Sequence, residues 1–402
     1  MDLSHSNLNS FLKLGYFLDY KNTDFKIDLS SVDTMKFSEL NEEEILNMGT
    51  KLFFEALEKN FVTKKKHVVP ISGGLDSRAI LAGLLEFTNA ENIYTYTFGT
   101  PGTLDYDIGR YIADKVGTNH TNYPLTDYKY EFGDLIDISN RVSQQTVLFH
   151  HPPVKDMDKK YNGMVIWSGF LNGFLTGGRI TNKRSNTVNE AKEAFLLRNQ
   201  YVKSTNLSNS SVEELVDLVD FEAYPNTNLD YEDILDVLNR QSKFISPHVL
   251  MKGFDYVTPY TDPEWISFML GLSLDNRKDQ YLFKKILFEI NSGLFSKKTK
   301  SNFGLPLNAP KVFTIFKRIQ NKVYQKLGSN PYINYLDFDE AIRNRQDINQ
   351  IVKDSVGDLK SRKIIEIDPV SLFNKHMNRK AEHSDALLIL TSLEIHLKAK
   401  GI

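Results

Sequence analysis

Short apolar runs and helical periodicities alternate along the first half of the chain. The runs at 67–71, 93–98 and 164–167 are rich in β-branched and aromatic residues, a pattern that predicts β-strands. Residues 78–86 and 107–116 repeat apolar positions at helical spacing instead. Because strands that alternate with helices favour a parallel sheet covered by helices, we expect an α/β core in this part of the chain.

Helical patterns also flank this core on both sides. Residues 8–20 have a loosely helical apolar spacing, and 39–61 carry an apolar stripe behind three glutamates, which suit a helix N-terminus. Residues 181–247 are polar and predict an inserted or peripheral helical segment. Helices are expected to dominate from 262 to the end, where 386–397 forms a strongly apolar amphipathic run.

These patterns predict a fold and a division of the chain. We expect an α/β fold in which a parallel twisted sheet with flanking helices precedes a mostly helical C-terminal part. Residues 1–62 are assigned to an N-terminal connector and helix, and 63–180 to the α/β core. Residues 181–250 are expected to form a helical insertion, and 251–402 a helical part that completes the same domain.

The composition excludes several classes of function. Lys and Arg number 49 against 51 Asp and Glu, so no overall basic field holds nucleic acid non-specifically. The chain contains no cysteine, which excludes disulfides, thiolate zinc sites and cysteine nucleophiles on this chain. Its first residues lack a secretory pattern, and no stretch approaches the roughly 20 apolar residues of a membrane span. We therefore expect a cytoplasmic protein without a nucleic-acid or membrane partner.

The strongest chemical signal is a six-residue loop between the first predicted strand and its helix: Ser72, Gly73, Gly74, Leu75, Asp76 and Ser77. Two adjacent glycines let the backbone approach a ligand with its N–H groups pointing inward. The serine hydroxyls and the following helix N-terminus favour an anion, so the loop predicts a pyrophosphate cradle. Asp76 adds negative charge, which suits the site only if it holds a Mg²⁺ ion that bridges phosphates. The simpler alternative is a glycine turn capped by Asp76 and Ser77.

This loop is the signature of the PP-loop ATP pyrophosphatases, and the surrounding chain resembles the synthetase domain of the asparagine synthetases. Relatives of that family include β-lactam synthetase and lasso-peptide cyclases. Weaker matches follow in order at 8–30, 98–120, 253–270, 298–306 and 391–402. The resemblance implies a PP-loop, adenine nucleotide α-hydrolase-like fold that uses ATP and Mg²⁺. It also implies a reaction that activates a carboxylate as an acyl-adenylate, releases pyrophosphate and forms an amide with an amine or ammonia.

The resemblance also implies roles for particular residues. The loop 72–77 would grip pyrophosphate, with Asp76 as metal ligand and catalytic residue. Thr97, Phe98 and Gly99 would receive the adenosine. Lys300 would stabilise negative charge during acyl transfer, because a fixed ammonium beside a leaving pyrophosphate lowers the barrier. Without the residues that follow it, Lys300 would be interpreted as one more solvated lysine.

The sequence departs from the family in two ways. The family begins with a cysteine nucleophile that releases ammonia from glutamine, whereas residue 2 here is Asp2. Nitrogen is therefore expected from free ammonia, another amine, or a separate glutaminase or carrier partner; a homodimer is a family expectation. In the segment 168–179, the family's magnesium-binding Asp falls on Gly173, and a catalytic acidic or tyrosyl position falls on Phe170. Asn172 is a candidate neutral oxygen ligand in their place.

Weaker candidates lie elsewhere in the chain. His150 and His151 are candidates for the substrate cleft or a metal, although a turn after a strand is the favoured interpretation. Asp105 is interpreted as a helix cap rather than a ligand, and Asp262 as an N-cap before Pro263.

Two functions from different classes follow. The first is an AMP-forming amide ligase, and the second is an ATP-binding partner subunit that has lost adenylation chemistry. The altered segment 168–179 motivates the second, whereas the intact loop 72–77 and Lys300 oppose it. An adenylating enzyme that transfers sulfur ranks last, because no cysteine is present for a sulfur relay.

Overall fold

A computed structural model describes most of the chain. The described residues are 4–180, 184–209, 211–224, 227, 229–326, 328 and 330–402. Its centre is a five-stranded, all-parallel sheet in the order β3-β2-β1-β4-β5. The strands are β1 (His67–Pro70), β2 (Ile93–Gly99), β3 (Asn119–Pro124), β4 (Val165–Trp167) and β5 (Asp255–Val257). The α/β fold with a parallel sheet is therefore confirmed.

Helices flank this sheet and dominate the C-terminal half of the chain. A two-stranded antiparallel sheet, β6 (Lys298–Thr299) with β7 (Leu305–Pro306), interrupts them. In chain order the helices are α1 (His5–Leu14), α2 (Glu42–Glu58), α3 (Asp76–Leu84), α4 (Leu104–Val116), α5 (Phe132–Arg141), α6 (Val154–Tyr161), α7 (Asn172–Leu175), α8 (Val188–Arg198), α9 (Glu213–Val216), α10 (Tyr231–Leu235), α11 (Ser246–Val249), α12 (Pro263–Gly271), α13 (Leu274–Arg277), α14 (Tyr281–Phe295), α15 (Lys311–Lys326), α16 (Phe338–Asn344), α17 (Gln346–Arg362), α18 (Pro369–Met377) and α19 (Ser384–Ala399).

A π-helical stretch, Asp236–Ile245, joins α10 to α11 in one continuous helical segment. Single 3₁₀ turns lie at Ala90–Asn92, Pro259–Thr261 and Lys278–Gln280. Wide helical turns of the π type often occur at functional sites, and this one faces the cleft described below.

Alternate side chains of β1 pack on opposite faces of the sheet. Val69 packs into a core shared with α2, α3, α12 and α14, whereas Val68 faces a second cluster that contains Met157 and Tyr161 of α6. Pro70, which has no N–H to donate, lies at the carboxyl end of the strand opposite Tyr96.

The C-terminal helices form a separate part of the core with α1 and α5. Helix α19 is the centre of this cluster, and its residues from Ala386 to Leu397 are all buried. The predicted amphipathic run is therefore covered on every side. Its buried Glu394 accepts two hydrogen bonds from Arg362, at 2.6 and 2.9 Å, which balances the carboxylate charge.

Two predicted helix boundaries can be compared directly with the structure. Helix α2 begins directly after Asn41. The side chains of Asn41 and Glu44 form a reciprocal capping box there. Helix α1 ends at Leu14, earlier than the predicted 8–20, because Gly15 adopts φ +80° and the chain turns into an extended segment. Among the described helices, none combines the length and the apolar character that crossing a bilayer requires.

Candidate active site

The candidate site lies where the sheet changes direction. The chain builds β1, β2 and β3 towards one edge and then returns to place β4 and β5 on the other side of β1. Loops that follow β1 and β4 therefore diverge at neighbouring carboxyl ends, which is where open α/β sheets bind ligands. These two loops are 72–77 and 168–179, which we name the β1 loop and the β4 loop.

The β1 loop is tightly held at its centre. The Ser72 hydroxyl accepts a hydrogen bond of 3.2 Å from the backbone N–H of Gly74, and α3 begins at Asp76. A side chain at Gly73 would lie 2.8 Å from the carbonyl oxygen of Leu104 and 2.9 Å from Cβ of Lys300. Glycine is thus required at Gly73 because two other segments approach it closely. Leu75 points into the core, whereas Ser72, Gly74, Asp76 and Ser77 line the cleft.

The segment that contains Lys300 is fastened to this loop. The backbone N–H of Lys300 donates to the carbonyl of Gly73 at 2.9 Å. The buried guanidinium of Arg78 donates to the carbonyl of Lys298, also at 2.9 Å. The Lys300 ammonium is paired with the Asp105 carboxylate and also donates to the Asn334 side chain. Its positive charge is therefore fixed beside the β1 loop.

Asp76 is oriented by residues from two later segments. The amide nitrogen of Asn172 donates to Asp76 Oδ1 at 2.7 Å, and the indole N–H of Trp265 donates to Asn172 Oδ1 at 3.2 Å. Because an indole N–H can only donate, it fixes the Asn172 oxygen away from Asp76. The expectation that Asn172 supplies a metal-binding oxygen beside Asp76 does not fit this orientation. The Tyr260 hydroxyl also donates to the Asp76 carbonyl at 2.9 Å.

The local environment changes the acidity of Asp76. Burial raises the pKa of its carboxyl to about 6, and the Asn172 hydrogen bond opposes that shift. The second carboxylate oxygen, Oδ2, has no hydrogen bond to any described residue. A carboxylate that presents one uncommitted oxygen at the mouth of an anion cradle fits a Mg²⁺ ion shared with phosphates.

The β4 loop approaches Asp76 from the other side. A Cβ at Gly169 would lie 3.0 Å from Asp76 Cβ, and one at Gly173 would lie 3.5 Å from Asp76 Oδ2. Leu171 adopts φ +74°, which is unusual for a side chain of this size. Phe170 is buried and packs edge-to-face on Phe25, with ring centroids 5.0 Å apart. The β4 loop therefore approaches closely but presents no acidic side chain.

The three residues predicted to receive adenosine end β2. The Thr97 hydroxyl is buried and donates to the Ile71 carbonyl at 2.7 Å, so it braces the strand. Phe98 stacks on Tyr335, with centroids 5.8 Å apart, and lines the cleft. Gly99 has φ +134°, and a Cβ there would lie 2.8 Å from the Asn334 carbonyl oxygen. The chain near 334 and 335 thus closes over this strand end.

Two adjoining cavities meet at the β1 loop. The small cavity, of about 420 Å³, is lined by Lys300, Asp105 and Asn334 among others. The large cavity, of about 580 Å³, extends from Asp76 past Phe170 towards the π-helical stretch. Both share Ser72, Gly74, Phe98 and Tyr335 as walls.

The large cavity has an unequal charge distribution. Asp76 is the one acid among the described residues that line it, whereas Arg179 and Arg240 contribute two guanidinium groups. Arg179 is held by Asn199 at 2.8 Å and lies 3.6 Å from Asp236. Arg240 has no ion pair or hydrogen bond to a described residue and contacts the Phe244 ring instead.

Three histidines complete the wall of the large cavity. His150 stacks on Tyr335, with centroids 4.7 Å apart, and His151 lies 4.3 Å from His248 by the same measure. Burial lowers the pKa of His150 to about 3 and that of His248 to about 4, so both are neutral near pH 7. Both histidines line the cleft, which is the alternative that the sequence analysis did not favour.

Several residues of the site carried no separate signal in the sequence. Asp105 lies in the first turn of α4, but it pairs with Lys300 as well as favouring the helix N-terminus. Asn334 and Arg240 have no surrounding motif, and only the fold brings them to the cleft; Trp265 lies in the matching segment 253–270 but had no assigned role. Asp262, by contrast, caps α12 as predicted, accepting from the N–H groups of Glu264 and Trp265.

Comparison with known protein families gives a match that includes the β1 loop. Residues 49–142 match the sequence model of the family described as asparagine synthase. The matched segment contains β1, the β1 loop, β2 and β3. It confirms the resemblance over this part of the chain and, at the level of the family, indicates an ATP-dependent amide ligase. No curated protein matches the chain.

Proposed function

We propose that this protein is an AMP-forming amide ligase that activates a carboxylate with ATP and transfers the acyl group to an amine or ammonia. The observation that carries the proposal is the joint geometry of the β1 loop and Lys300. A fixed ammonium and the N-terminus of α3 meet at the carboxyl end of the central strand, where Asp76 offers one free oxygen. An arrangement of this kind binds polyphosphate and stabilises charge as pyrophosphate leaves.

The nucleotide side of the reaction falls to the β1 loop and the end of β2. Ser72, Gly74 and Ser77 line the cleft and would contact the β- and γ-phosphates, Gly73 holds the loop against the Lys300 segment, and Asp76 is the proposed magnesium ligand. When bound, Mg²⁺ would neutralise phosphate charge and favour the departure of pyrophosphate. The segment 97–99 receives the adenosine, with Phe98 as an apolar wall and Thr97 as a brace.

The proposed reaction has two steps, adenylation of the carboxylate and transfer of the acyl group to the amine. A carboxylate oxygen of the substrate attacks the α-phosphorus of ATP, the bond to the β-phosphate oxygen breaks, and pyrophosphate leaves. The amine nitrogen then attacks the acyl carbon, the acyl–oxygen bond breaks, AMP leaves and the nitrogen loses a proton to water. Lys300 stabilises the negative charge that develops in the first step, because its ammonium is fixed beside the loop.

The large cavity is the proposed acyl-substrate site, and its charges restrict that substrate. A free ammonium group would find no acidic partner there apart from Asp76, which is assigned to the metal. Arg240 lacks an ion-pair partner among the described residues and suits an anionic or acceptor group. We therefore expect a carboxylate without a free α-ammonium group, which excludes aspartate as the preferred substrate.

The second candidate function is an ATP-binding partner subunit without ligase turnover. The apolar β4 loop favours it, since Phe170 and Phe174 can neither bind a metal nor move a proton. Lys300 opposes it, because its ammonium is held beside the loop by two side-chain partners.

Measurement of the products formed from ATP separates these functions. Purified protein receives ATP, Mg²⁺, ammonia and a pool of small molecules from cell extract, and AMP and pyrophosphate are quantified separately from ADP and phosphate. The ligase forms AMP and pyrophosphate together, Asp76→Asn abolishes this, and Asp107→Asn, an exposed aspartate that accepts from the Gly102 N–H, does not. ATP binding without AMP in any fraction of the pool supports the partner subunit. Turnover supported by aspartate alone contradicts the substrate assignment.

A further inference from the structure

Helix α15 presents its apolar residues to solvent rather than to the protein. Seven large side chains on this 16-residue helix are between 45% and 74% exposed. They are Val312, Phe313, Ile315, Phe316, Ile319, Val323 and Tyr324. Spacings of three, four and seven residues place most of them on one face of the helix, which we name the α15 apolar face.

The opposite side of α15 makes its contacts with the protein, and that side is polar. Asn321 is buried and donates to the Phe303 carbonyl at 3.3 Å and to the Tyr332 hydroxyl at 3.0 Å. Thr314 and Lys317 on the same side are half-buried. An amphipathic helix of a globular protein normally buries its apolar face, so the reversed orientation indicates that something outside the chain covers it.

The charges on α15 identify the kind of surface that fits. The helix contains five basic residues and no acidic one: Lys311, Lys317, Arg318, Lys322 and Lys326. None of them forms an ion pair with a described residue. Four recur at intervals of seven, four and four residues, which places them in one stripe beside the apolar face, and Lys317 lies beyond its other margin.

We propose that α15 binds the surface of an anionic lipid bilayer, lying in the plane of the headgroups with its apolar face inserted. A basic stripe beside bulky apolar residues is the arrangement of interfacial helices, in which acyl chains cover the apolar face and lipid headgroups neutralise the cations. This proposal differs from the expectation of no membrane partner, which rested on the lack of a long apolar stretch that could span a bilayer. A helix of 16 residues that lies on the surface does not need to span.

A second copy of the chain fits this face less well. A symmetric dimer through α15 would bring two such basic helices together, and like charges at a contact oppose association. Anionic lipid, in contrast, supplies the opposite charge along the whole helix.

Co-sedimentation of the full chain with vesicles tests the proposal. We expect binding to vesicles of phosphatidylcholine with phosphatidylglycerol, weaker binding to phosphatidylcholine alone, and weaker binding at high salt. Phe316→Ser with Ile319→Ser should lower the partition coefficient by about tenfold or more, because it removes two inserted side chains. Arg318→Gln with Lys322→Gln should lower it by about tenfold on the anionic vesicles only.

Matched controls keep the result interpretable. Met35→Ser with Leu197→Ser makes the same kind of change at two exposed apolar residues outside α15 and should leave binding unchanged. Circular dichroism checks that each variant is folded. Absence of binding to either vesicle overturns the proposal. So does a dimer in light scattering that Phe316→Ser with Ile319→Ser dissociates, because the face would then join two copies.

Discussion

The β1 loop and the β4 loop follow neighbouring strands and begin with the same Ser-Gly pair, yet they differ in chemistry. The β1 loop carries Asp76 and is joined to Lys300, whereas the β4 loop presents Phe170 and Gly173 at the corresponding wall. The two loops lie close together, because a side chain at Gly169 would have no room beside Asp76. The two loops share a backbone role while the charged chemistry is concentrated on one of them.

This contrast shows that the shape of a loop and its chemistry can change independently. Leu171 retains a positive φ although a leucine side chain makes that conformation costly, by about 1–3 kcal/mol. The surrounding packing therefore imposes the path of the β4 loop. The side chains on that path give the large cavity an apolar wall beside Asp76.

Removal of the Lys300 ammonium should produce the largest effect and tests whether charge stabilisation depends on the β1 side. Lys300→Met should lower kcat for AMP formation about a hundredfold, because one fixed charge near a leaving group is lost. The matched control is Lys298→Met, whose side chain is exposed and whose backbone carbonyl still accepts from Arg78. Equal losses in both variants would show that Lys300 has no special role.

Restoring an acid to the β4 loop tests whether that loop still faces the metal position. Gly173→Asp places a side chain beside Asp76 Oδ2, because a Cβ at this position would lie 3.5 Å from that oxygen. The Mg²⁺ concentration for half-maximal AMP formation should fall several-fold, since two carboxylates hold the ion better than one. Gly133→Asp, at an exposed glycine with open space around it, is the control. An unchanged Mg²⁺ requirement means that residue 173 does not face the ion.

The sequence predicts the inner strands of the sheet but not its edges. β1, β2 and β4 are buried on both faces and are therefore encoded as apolar runs. β3 is an edge strand of largely polar residues, Asn119–Pro124, and β5 is an edge strand of three residues. Because both edge strands are partly exposed to solvent, neither has an apolar periodicity that predicts a strand.

The candidate site likewise combines residues that are adjacent in the sequence with residues that only the fold brings together. The β1 loop is contiguous, so its glycines, serines and Asp76 were predicted together. The orientation of Asn172 depends on Trp265, which is 93 positions away and contacts it only in the folded protein. Arg240 reaches the large cavity through a π-helical stretch that the surrounding polar sequence does not indicate.

Tyr260, which precedes α12, is hydrogen-bonded to the start of α3. Tyr260→Phe removes the hydrogen bond to the Asp76 carbonyl and should lower the free energy of unfolding by about 1 kcal/mol. Urea denaturation measures this change, with Tyr281→Phe as an exposed control that loses a bond to Glu42. If Tyr260→Phe is as stable as wild type, this bond does not support the β1 loop.

The buried carboxyl of Asp76 should affect stability to an extent that depends on pH. Because burial raises its pKa from the model-peptide value of 3.8 to about 6, the folded protein binds this proton more tightly than the unfolded chain. Ionisation therefore costs stability as pH rises from about 4 to 6, and the cost remains above 6.

Asp76→Asn removes that cost, so it should raise the melting temperature by about 2 °C at pH 8 and by progressively less as pH falls towards 4. Differential scanning calorimetry of both proteins across this range measures the difference, and Asp107→Asn, at an exposed aspartate, should show no such trend. A constant difference between pH 4 and 8 would mean that Asp76 ionises as a solvated carboxyl. The expected trend instead means that the protein maintains a destabilising charge where the β1 loop meets the β4 loop. That charge is then present for a cation rather than for the fold.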